Sequence, residues 1–260
     1  MSSPVEPVEP TALAPVVARL RAAGCVAADD EAEVMLRSAP HPGVLDGWLT
    51  RREQGEPLAW IVGSTVFCGH RVAVAPGVYV PRWQSEELAV RASALLPAHG
   101  RALDLCTGAG AIAVHLAASV ADAVVVATDL DPAAVACARA NGVAAIVADL
   151  AAPLRDHSFD VVTVVAPYVP AGELDLLPPD VRRHEPVLAL DGGADGLDLV
   201  RRATRDAARV LRPGGWLLAE IGGDQLPALG PALLAHRFVE TVAWYDEDDD
   251  LRGVAARLAG

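Results

Sequence analysis

A short glycine-containing segment, 104–110, has the residue types of a nucleotide-binding loop. Asp104 ends an apolar run, Gly108 and Gly110 follow closely, and a helix is predicted to begin near Ala111. Glycine lets a ligand approach the backbone where a side chain would collide, and a helix N-terminus offers free N–H groups to an anionic group. Because ligands bind at the carboxyl ends of strands in open α/β sheets, the segment predicts a nucleotide-type cofactor site.

Two cofactors fit this loop. The spacing G-x-G-x-x-A over residues 108–113 matches the dinucleotide pattern, and Asp129 follows at the distance of a ribose-binding acid. S-adenosylmethionine is favoured because acids stand near the ends of three successive predicted strands, at Asp104, Asp129 and Asp149. In that interpretation Asp129 binds the ribose hydroxyls and Asp149 accepts a hydrogen bond from the adenine amino group. An NAD-dependent oxidoreductase remains the alternative.

The composition excludes several classes of chemistry. The 260 residues have a formal net charge of −13 and contain no lysine, so all 21 basic residues are arginine. This excludes the P-loop lysine and Schiff-base catalysis. The negative charge argues against a nucleic-acid partner, which needs clustered cations. No apolar run is long enough to predict a membrane span, and no secretory signal is expected.

The four cysteines, Cys25, Cys68, Cys106 and Cys137, are scattered and form no C-x-x-C pair. This spacing predicts neither a zinc site nor a disulfide framework. Because free thiols are typical of a reducing compartment, we expect a cytoplasmic protein without a metal site.

The first part of the chain predicts a small helical domain over residues 1–57 and a β-hairpin linker over residues 58–83. Residues 1–10 are rich in proline and glutamate and are expected to be disordered. Three amphipathic helices are predicted at 13–23, after the N-cap pair Asp29-Asp30, and at 42–54. Two β-like runs, 59–63 and 71–80, flank a predicted turn at Cys68-Gly69-His70.

Residues 84–260 alternate between apolar strand-like runs and helical patterns, which predicts a parallel sheet covered by helices on both faces. Candidate strands lie at 102–106, 124–129, 144–149, 161–166 and 216–221, with helices at 111–119, 132–140 and 198–211. Two further strands, 241–247 and 253–258, are joined by the acidic turn 248–250. The predicted fold class is therefore an α/β sheet of seven strands with an antiparallel last strand.

Motifs along nearly the whole chain resemble the protein-(glutamine-N5) methyltransferases of the HemK/PrmC type, which act on peptide-chain release factors. The most specific match is the segment 185–198, because a generic α/β sheet does not need its Glu-Pro and Gly-Gly-x-Asp-Gly residues. The other matching segments are 55–63, 80–82 with Glu86, the loop 104–112, 213–215 and 220–222.

The resemblance implies a class I (Rossmann-like) methyltransferase that transfers a methyl group from S-adenosylmethionine to nitrogen without a metal. In such a reaction the protein supplies alignment and a dry site. The expected cofactor contacts are Asp104, Cys106, Thr107, Gly108, Ala109, Gly110, Asp129, Leu130, Asp149, Leu150 and Val165. The expected catalytic acceptor floor is Val165, Ala166, Pro167 and Tyr168, and Arg82 and Glu86 are further expected substrate contacts. The acceptor is expected to be a release-factor-like protein or a small molecule.

At the acceptor floor the sequence departs from the family pattern Asn-Pro-Pro-Tyr and reads V-A-P-Y over residues 165–168. In the family the asparagine holds the substrate amide, which Val165 cannot do, and the single asparagine of this chain, Asn141, lies elsewhere. Residues 83–84 are Trp-Gln where the family has proline and an acid. We therefore expect weak or absent activity on release-factor glutamine and a different nitrogen acceptor. A non-catalytic cofactor-binding module is the remaining alternative.

Overall fold

The computed structural model describes residues 10–177 and 179–260. Residues 1–9 of the segment expected to be disordered lie outside the described residues, and Pro10 begins the first helix. Three helices form the N-terminal part: α1 (Pro10–Ala22), α2 (Ala28–Ser38) and α3 (Pro42–Glu53). They share an apolar core that includes the fully buried side chains of Leu20 and Met35.

The predicted N-cap of α2 is wrong by position. Asp29 and Asp30 lie in the first turn of the helix, and the N-cap is Ala27, with no capping side chain. The two carboxylates still favour the helix, because they lie at the positive end of its dipole. The guanidinium of Arg52 on α3 binds the carboxylate of Glu31 with two hydrogen bonds of 2.7 and 2.9 Å, which joins the two helices.

The first predicted strand of the linker is a helix, α4 (Leu58–Val62). The backbone carbonyl of Pro57 accepts the N–H groups of Trp60 and Ile61 and so starts the helix. Gly63 ends it with a left-handed φ of 80°, as is common after a helix. A short buried apolar run carries no period that separates strand from helix, which explains the error.

The hairpin is confirmed in a shorter form, as β1 (Ser64–Phe67) paired with β2 (His70–Ala73). Its turn lies at Cys68 and Gly69, which both have positive φ, 47° and 75°. The strand predicted for residues 71–80 therefore ends at Ala73, and the chain continues without regular structure to the next helix.

Asn141 fixes the hairpin to the glycine-containing loop. Its side-chain oxygen accepts the N–H of Ala73 at 2.8 Å, and its amide nitrogen donates to the carbonyls of Ala73 and Ala109 at 2.8 and 2.9 Å. These bonds occupy both ends of the amide group, so the single asparagine of the chain has a structural role outside the acceptor floor.

The remaining chain forms a seven-stranded sheet with helices on both faces. Its elements are α5 (Glu86–Leu95), β3 (Arg101–Leu105), α6 (Ala111–Ser119), β4 (Val124–Asp129), α7 (Pro132–Ala140), β5 (Ala144–Val147), β6 (Phe159–Val164), α8 (Pro179–His184), α9 (Asp198–Val210), β7 (Leu211–Glu220), α10 (Gln225–Ala235), β8 (Phe238–Tyr245) and β9 (Leu251–Leu258). Short 3₁₀ helices lie at Trp83–Ser85, Ala171–Leu176 and Val187–Ala189.

The strand order is β5-β4-β3-β6-β7-β9-β8. The first five strands in this order are parallel, and β9 is antiparallel to both β7 and β8. The predicted fold, including its antiparallel last strand, is therefore confirmed. The chain runs outward from β3 through β4 to β5 and then returns to place β6 on the other side of β3. Ligands bind where the strand order reverses in this way, so the segments after β3 and β6 are the first place to search.

Candidate active site

A cavity of about 880 Å³ opens at the carboxyl ends of the parallel strands. It is lined by Gly108 after β3, by Asp129 at the end of β4, by Asp149 beyond β5, and by Val165 and Tyr168 after β6. One cavity therefore brings together the segments that follow four neighbouring strands, as the reversal of strand order predicts.

Most of the predicted site residues line this cavity, and five do not. The lining includes Arg82, Cys106, Gly108, Asp129, Leu130, Asp149, Leu150, Val165, Ala166, Pro167 and Tyr168. The predicted residues outside the lining are Glu86, Asp104, Thr107, Ala109 and Gly110. Each of the five instead makes a contact within the protein: Glu86, Asp104, Thr107 and Ala109 form hydrogen bonds, and Gly110 packs against Ala138 and Val143.

Asp104 supports the loop from behind. Its side chain is almost fully buried within β3, and its two carboxylate oxygens accept hydrogen bonds from the hydroxyls of Thr107 and Thr163 at 2.6 and 2.7 Å. Burial raises the pKa of this carboxyl to about 6, although both hydrogen bonds favour the charged form. Asp104 thus joins the loop after β3 to strand β6 and fixes the position of the loop relative to that strand.

Gly108 and Gly110, the two glycines of the loop, have different structural roles. Gly108 has a φ of 54°, and a Cβ added there would meet no protein atom within 4 Å. Gly110 has a φ of 83°, and its Cβ would lie 3.0 Å from Val143 and 3.1 Å from Ala138. Gly108 therefore leaves open space in the cavity for a ligand, whereas Gly110 lets α6 pack against the end of α7.

The carboxylate of Asp129 faces the same space. One oxygen accepts the N–H of Gly108 at 2.8 Å and the other accepts the N–H of Asp131 at 2.9 Å. Burial raises its pKa, and these backbone hydrogen bonds oppose that shift. Each carboxylate oxygen has a second lone pair, so the group can also accept bonds from two hydroxyls. A vicinal diol such as a ribose edge fits this donor and acceptor set.

Asp149 is paired with an arginine that the sequence analysis missed. The guanidinium of Arg202, on α9, donates to the Asp149 carboxylate at 2.6 Å, and both side chains are about half exposed. Arg202 lies in the lining of the cavity, as does Arg252 at the start of β9. Both arginines come from distant parts of the chain and belong to no short motif, so no sequence signal indicated them.

The segment after β6 is held by very close backbone contacts. A Cβ on Gly192 would lie 2.7 Å from the carbonyl oxygen of Pro167, and one on Gly196 would lie 2.2 Å from that of Tyr168. The amide nitrogen of Gln225 also donates to the Tyr168 carbonyl at 3.0 Å. Gly192 and Gly196 are therefore needed because the acceptor floor passes directly against them.

The floor itself is mostly apolar. Val165 is half-buried, and Ala166 and Pro167 are buried. Tyr168 beside them has a pKa raised by burial and, to a smaller extent, by the negative charge of Glu220. The carboxylate of Glu220 is itself buried and accepts a hydrogen bond of 2.5 Å from the hydroxyl of Ser85. Burial raises the pKa of Glu220 as well.

Two residues expected to contact substrate have defined partners. The guanidinium of Arg82 forms an ion pair with Glu185, whose side chain is buried, and lies 5.1 Å from the ring centre of Tyr79. The carboxylate of Glu86 accepts the N–H of Cys68 at 2.8 Å, which directs it to the hairpin turn and away from the cavity. Cys106, at the start of the loop, lines the cavity with a thiol whose pKa is raised by burial.

Two further observations concern metal-binding groups and membrane-spanning helices. Within residues 10–177 and 179–260, no group of three or more histidine, cysteine, aspartate or glutamate side chains could hold a metal ion. No helix in this part is long and apolar enough to cross a membrane.

Comparison with known proteins supports the interpretation of the fold. A family model described as a methyltransferase domain matches residues 102–184. Among solved structures, T. thermophilus RsmC, a 16S rRNA methyltransferase in complex with AdoMet and guanosine, has a TM-score of 0.51 and 23% identity, covering 76% of this chain and 44% of that one. The hMettl16 catalytic domain has a TM-score of 0.57 and 15% identity, covering 89% and 83%. At these identities the likeness shows the fold alone.

Curated relatives show the family. A release factor glutamine methyltransferase of Geobacter sulfurreducens is 40% identical over 69% of this chain and 65% of its own length. One of Cereibacter sphaeroides is 40% identical over 81% and 77%. A 4-amino-L-phenylalanine/4-methylamino-L-phenylalanine methyltransferase of Streptomyces pristinaespiralis is 39% identical over 82% and 77%. The chain belongs to the release factor glutamine methyltransferase family and is an S-adenosylmethionine-dependent methyltransferase.

Proposed function

We propose that this protein methylates the ring amino group of a small aromatic amine of the 4-amino-L-phenylalanine type, and not the glutamine amide of a release factor. The observation that carries the proposal is Val165, which stands on the cavity floor where the family has an amide side chain.

In this proposal the cofactor occupies the side of the cavity formed by β3, β4 and β5. Asp129 binds the ribose hydroxyls, Asp149 and Leu150 hold the adenine, and the open space beside Gly108 admits the ligand next to the backbone. When bound, S-adenosylmethionine supplies a methyl group on a sulfonium. The protein then has to align the acceptor nitrogen and exclude water.

A glutamine amide is a demanding acceptor because its nitrogen lone pair is delocalised into the carbonyl. Its N–H groups must be held so that the nitrogen faces the methyl group. Loss of a positioning contact of this kind commonly costs about 2.7–4 kcal/mol in a transition state. That corresponds to a rate lower by roughly two to three orders of magnitude. An amide packed against Val165 would also leave buried polar groups without partners.

An aromatic amine fits the floor better. Its nitrogen is uncharged at neutral pH and keeps a lone pair that can attack the methyl carbon directly. The new N–C bond forms as the C–S bond breaks, and the nitrogen then releases one proton to water. The ring is apolar and packs well on Val165, Ala166 and Pro167, which offer no side-chain hydrogen bond.

The comparisons are consistent with either acceptor. Most of the relatives quoted above are named for release factors, whereas the Streptomyces pristinaespiralis relative is named for 4-amino-L-phenylalanine and its methylamino derivative. The alignment with the Streptomyces pristinaespiralis relative spans 227 residues and covers 82% of this chain, compared with 69% for the Geobacter sulfurreducens relative. A relative that is 39% identical to this chain is thus named for an aromatic amine, which supports the proposal.

The test is a substrate comparison with the purified protein and S-adenosylmethionine. Methyl transfer to 4-amino-L-phenylalanine and to a purified release factor is followed separately by mass spectrometry. We expect repeated turnover on the aromatic amine and only slow transfer to the release factor. Transfer to the release factor at an ordinary enzymatic rate, with none to the amine, would overturn the proposal.

A further inference from the structure

In the segment before α5, the cavity-lining residues Trp83 and Gln84 lie between two residues that are held by other parts of the protein. Arg82, at its start, is paired with buried Glu185. Ser85 donates to buried Glu220 at 2.5 Å, and Glu86 is bonded to the hairpin turn. These contacts anchor the short 3₁₀ helix Trp83–Ser85 at both ends, so the backbone that carries Trp83 is held in place.

Trp83 is the first residue between the anchors, and its side chain is unusually exposed. It lines the cavity and has a relative exposure of 68%. Large aromatic side chains are seldom left this open, and an exposed one at a ligand cavity is more informative than a buried one. The indole ring offers a flat apolar face that is preorganised by the anchored backbone.

Other exposed apolar side chains lie around the same cavity. Val26, between α1 and α2, and Leu188, in the 3₁₀ helix after α8, both line it and are exposed at 103% and 62%. Leu130, after β4, lines it as well and is 55% exposed. The cavity lining thus combines these exposed apolar side chains and the Trp83 ring with half-exposed charged groups such as Asp149 and Arg202, a combination that favours a ligand with a planar apolar ring and polar ends.

We propose that Trp83 is a specificity-determining residue that packs its indole ring against the aromatic ring of the acceptor. The inference rests on the proposed function and deepens it, because it identifies the surface that selects an aromatic amine. Val165 removes the requirement for an amide, and Trp83 supplies the contact that an aromatic ring gains.

The test combines binding and turnover in Trp83→Ala, Trp83→Phe and wild type. Calorimetry measures binding of 4-amino-L-phenylalanine to protein saturated with S-adenosylhomocysteine, and initial rates give KM and kcat for the same amine. We expect Trp83→Ala to weaken binding and raise KM by about ten-fold with little change in kcat, because ring packing acts on binding. Trp83→Phe keeps an aromatic face and should stay within about three-fold of wild type.

Tyr245→Ala is the matched control, because Tyr245 is an aromatic side chain on β8 that is 56% exposed and lies outside the cavity lining. It should leave both measurements unchanged. Turnover of the amine with unchanged binding in Trp83→Ala would overturn the role of Trp83 and leave the proposed function intact. Binding that depends on Trp83 without any turnover would overturn the proposed function and, with it, the role of Trp83 in acceptor choice, while the contact between the indole ring and the amine would stand. No binding of the amine by wild type would overturn both.

Discussion

The two sides of the cavity are built in different ways. On the side proposed for the cofactor, the Asp129 carboxylate accepts the backbone N–H of Gly108, and the Asp104 carboxylate accepts the hydroxyls of Thr107 in the loop and Thr163 on β6. On the side proposed for the acceptor, half-buried Val165 and largely exposed Trp83 contribute apolar side chains to the lining. In the proposed function the first side retains the family pattern and the second side departs from it at Val165 and Trp83.

The difference suits a fold that keeps its cofactor while its acceptor changes. A change at Gly110 or Asp104 would affect packing or a buried hydrogen-bond pair, because these residues support the loop itself. Val165 and Trp83 both line the cavity, and Trp83 is largely exposed, whereas Val165 also packs against the core. Residues 83–84 and 165, where the sequence departs from the family pattern, all line the cavity, so we expect these departures to act on specificity.

The largest expected effect is a change of acceptor in Val165→Asn. An asparagine restores the amide that can hold a glutamine side chain, and we expect release-factor methylation to rise by roughly 100-fold, the scale of one recovered positioning contact. Val165→Ala is the matched control, since it changes volume without adding an amide. Equal rates for the two variants on a release factor would show that the acceptor side differs by more than this residue.

The cofactor side can be tested by Asp129→Ala. Loss of the acceptor for two ribose hydroxyls should weaken S-adenosylhomocysteine binding by about 1–3 kcal/mol, measured by calorimetry. Asp224→Ala serves as the control, because Asp224 is exposed and outside the cavity lining. Unchanged affinity in Asp129→Ala would mean that the ribose lies elsewhere, and the division of the cavity would fail.

The fold and much of the site could be predicted from sequence for physical reasons. Over residues 101–258, short continuous apolar runs alternate with helical patterns of apolar residues. Apolar runs without alternation indicate strands that are buried on both faces, which requires helices on both sides of the sheet. The acids at 104, 129 and 149 indicated the correct ends of three strands, although only Asp129 and Asp149 line the cavity. The burial of Asp104 could not be predicted. A fully buried strand has no alternation of polar and apolar residues, so its sequence does not show which side chains face a ligand.

Long-range contacts account for the other differences. The pairing of Arg202 with Asp149 joins residues 53 positions apart, and no local pattern encodes it. Glu86 was placed at the substrate by resemblance, but its carboxylate is used by the turn at Cys68. The helix α4 (Leu58–Val62) was missed because five apolar residues fit a buried helix and a strand equally well.

The buried carboxyl of Asp104 predicts a pH effect on stability that sharpens its structural role. Its pKa in the folded protein is raised to about 6, above the usual value. The folded state therefore holds the proton more tightly than the unfolded chain, and this stabilising contribution is lost as pH rises through about 6. Urea unfolding of wild type and Asp104→Asn between about pH 4 and pH 7 should show a difference in stability that changes with pH. A difference that stays constant across this range would contradict the assignment.

The smallest expected effect is that of Arg202→Ala. Its ion pair with Asp149 is about half exposed, and exposed pairs contribute about 0–1 kcal/mol. Cofactor affinity should fall by less than about five-fold, and the loss should shrink at high salt. Arg201→Ala, which removes a neighbouring pair with Asp195 outside the cavity lining, is the control. A loss as large as that of Asp129→Ala would place Arg202 among the principal cofactor contacts.

The division between a retained cofactor side and an altered acceptor side is tested most directly by competition. Wild-type protein receives labelled S-adenosylmethionine together with a release factor and 4-amino-L-phenylalanine at equal concentrations, and the label is measured in each product. The account predicts that nearly all transferred label is found in the amino acid and that Val165→Asn moves the balance toward the release factor. Label found mainly in the release factor with the wild-type protein would contradict it.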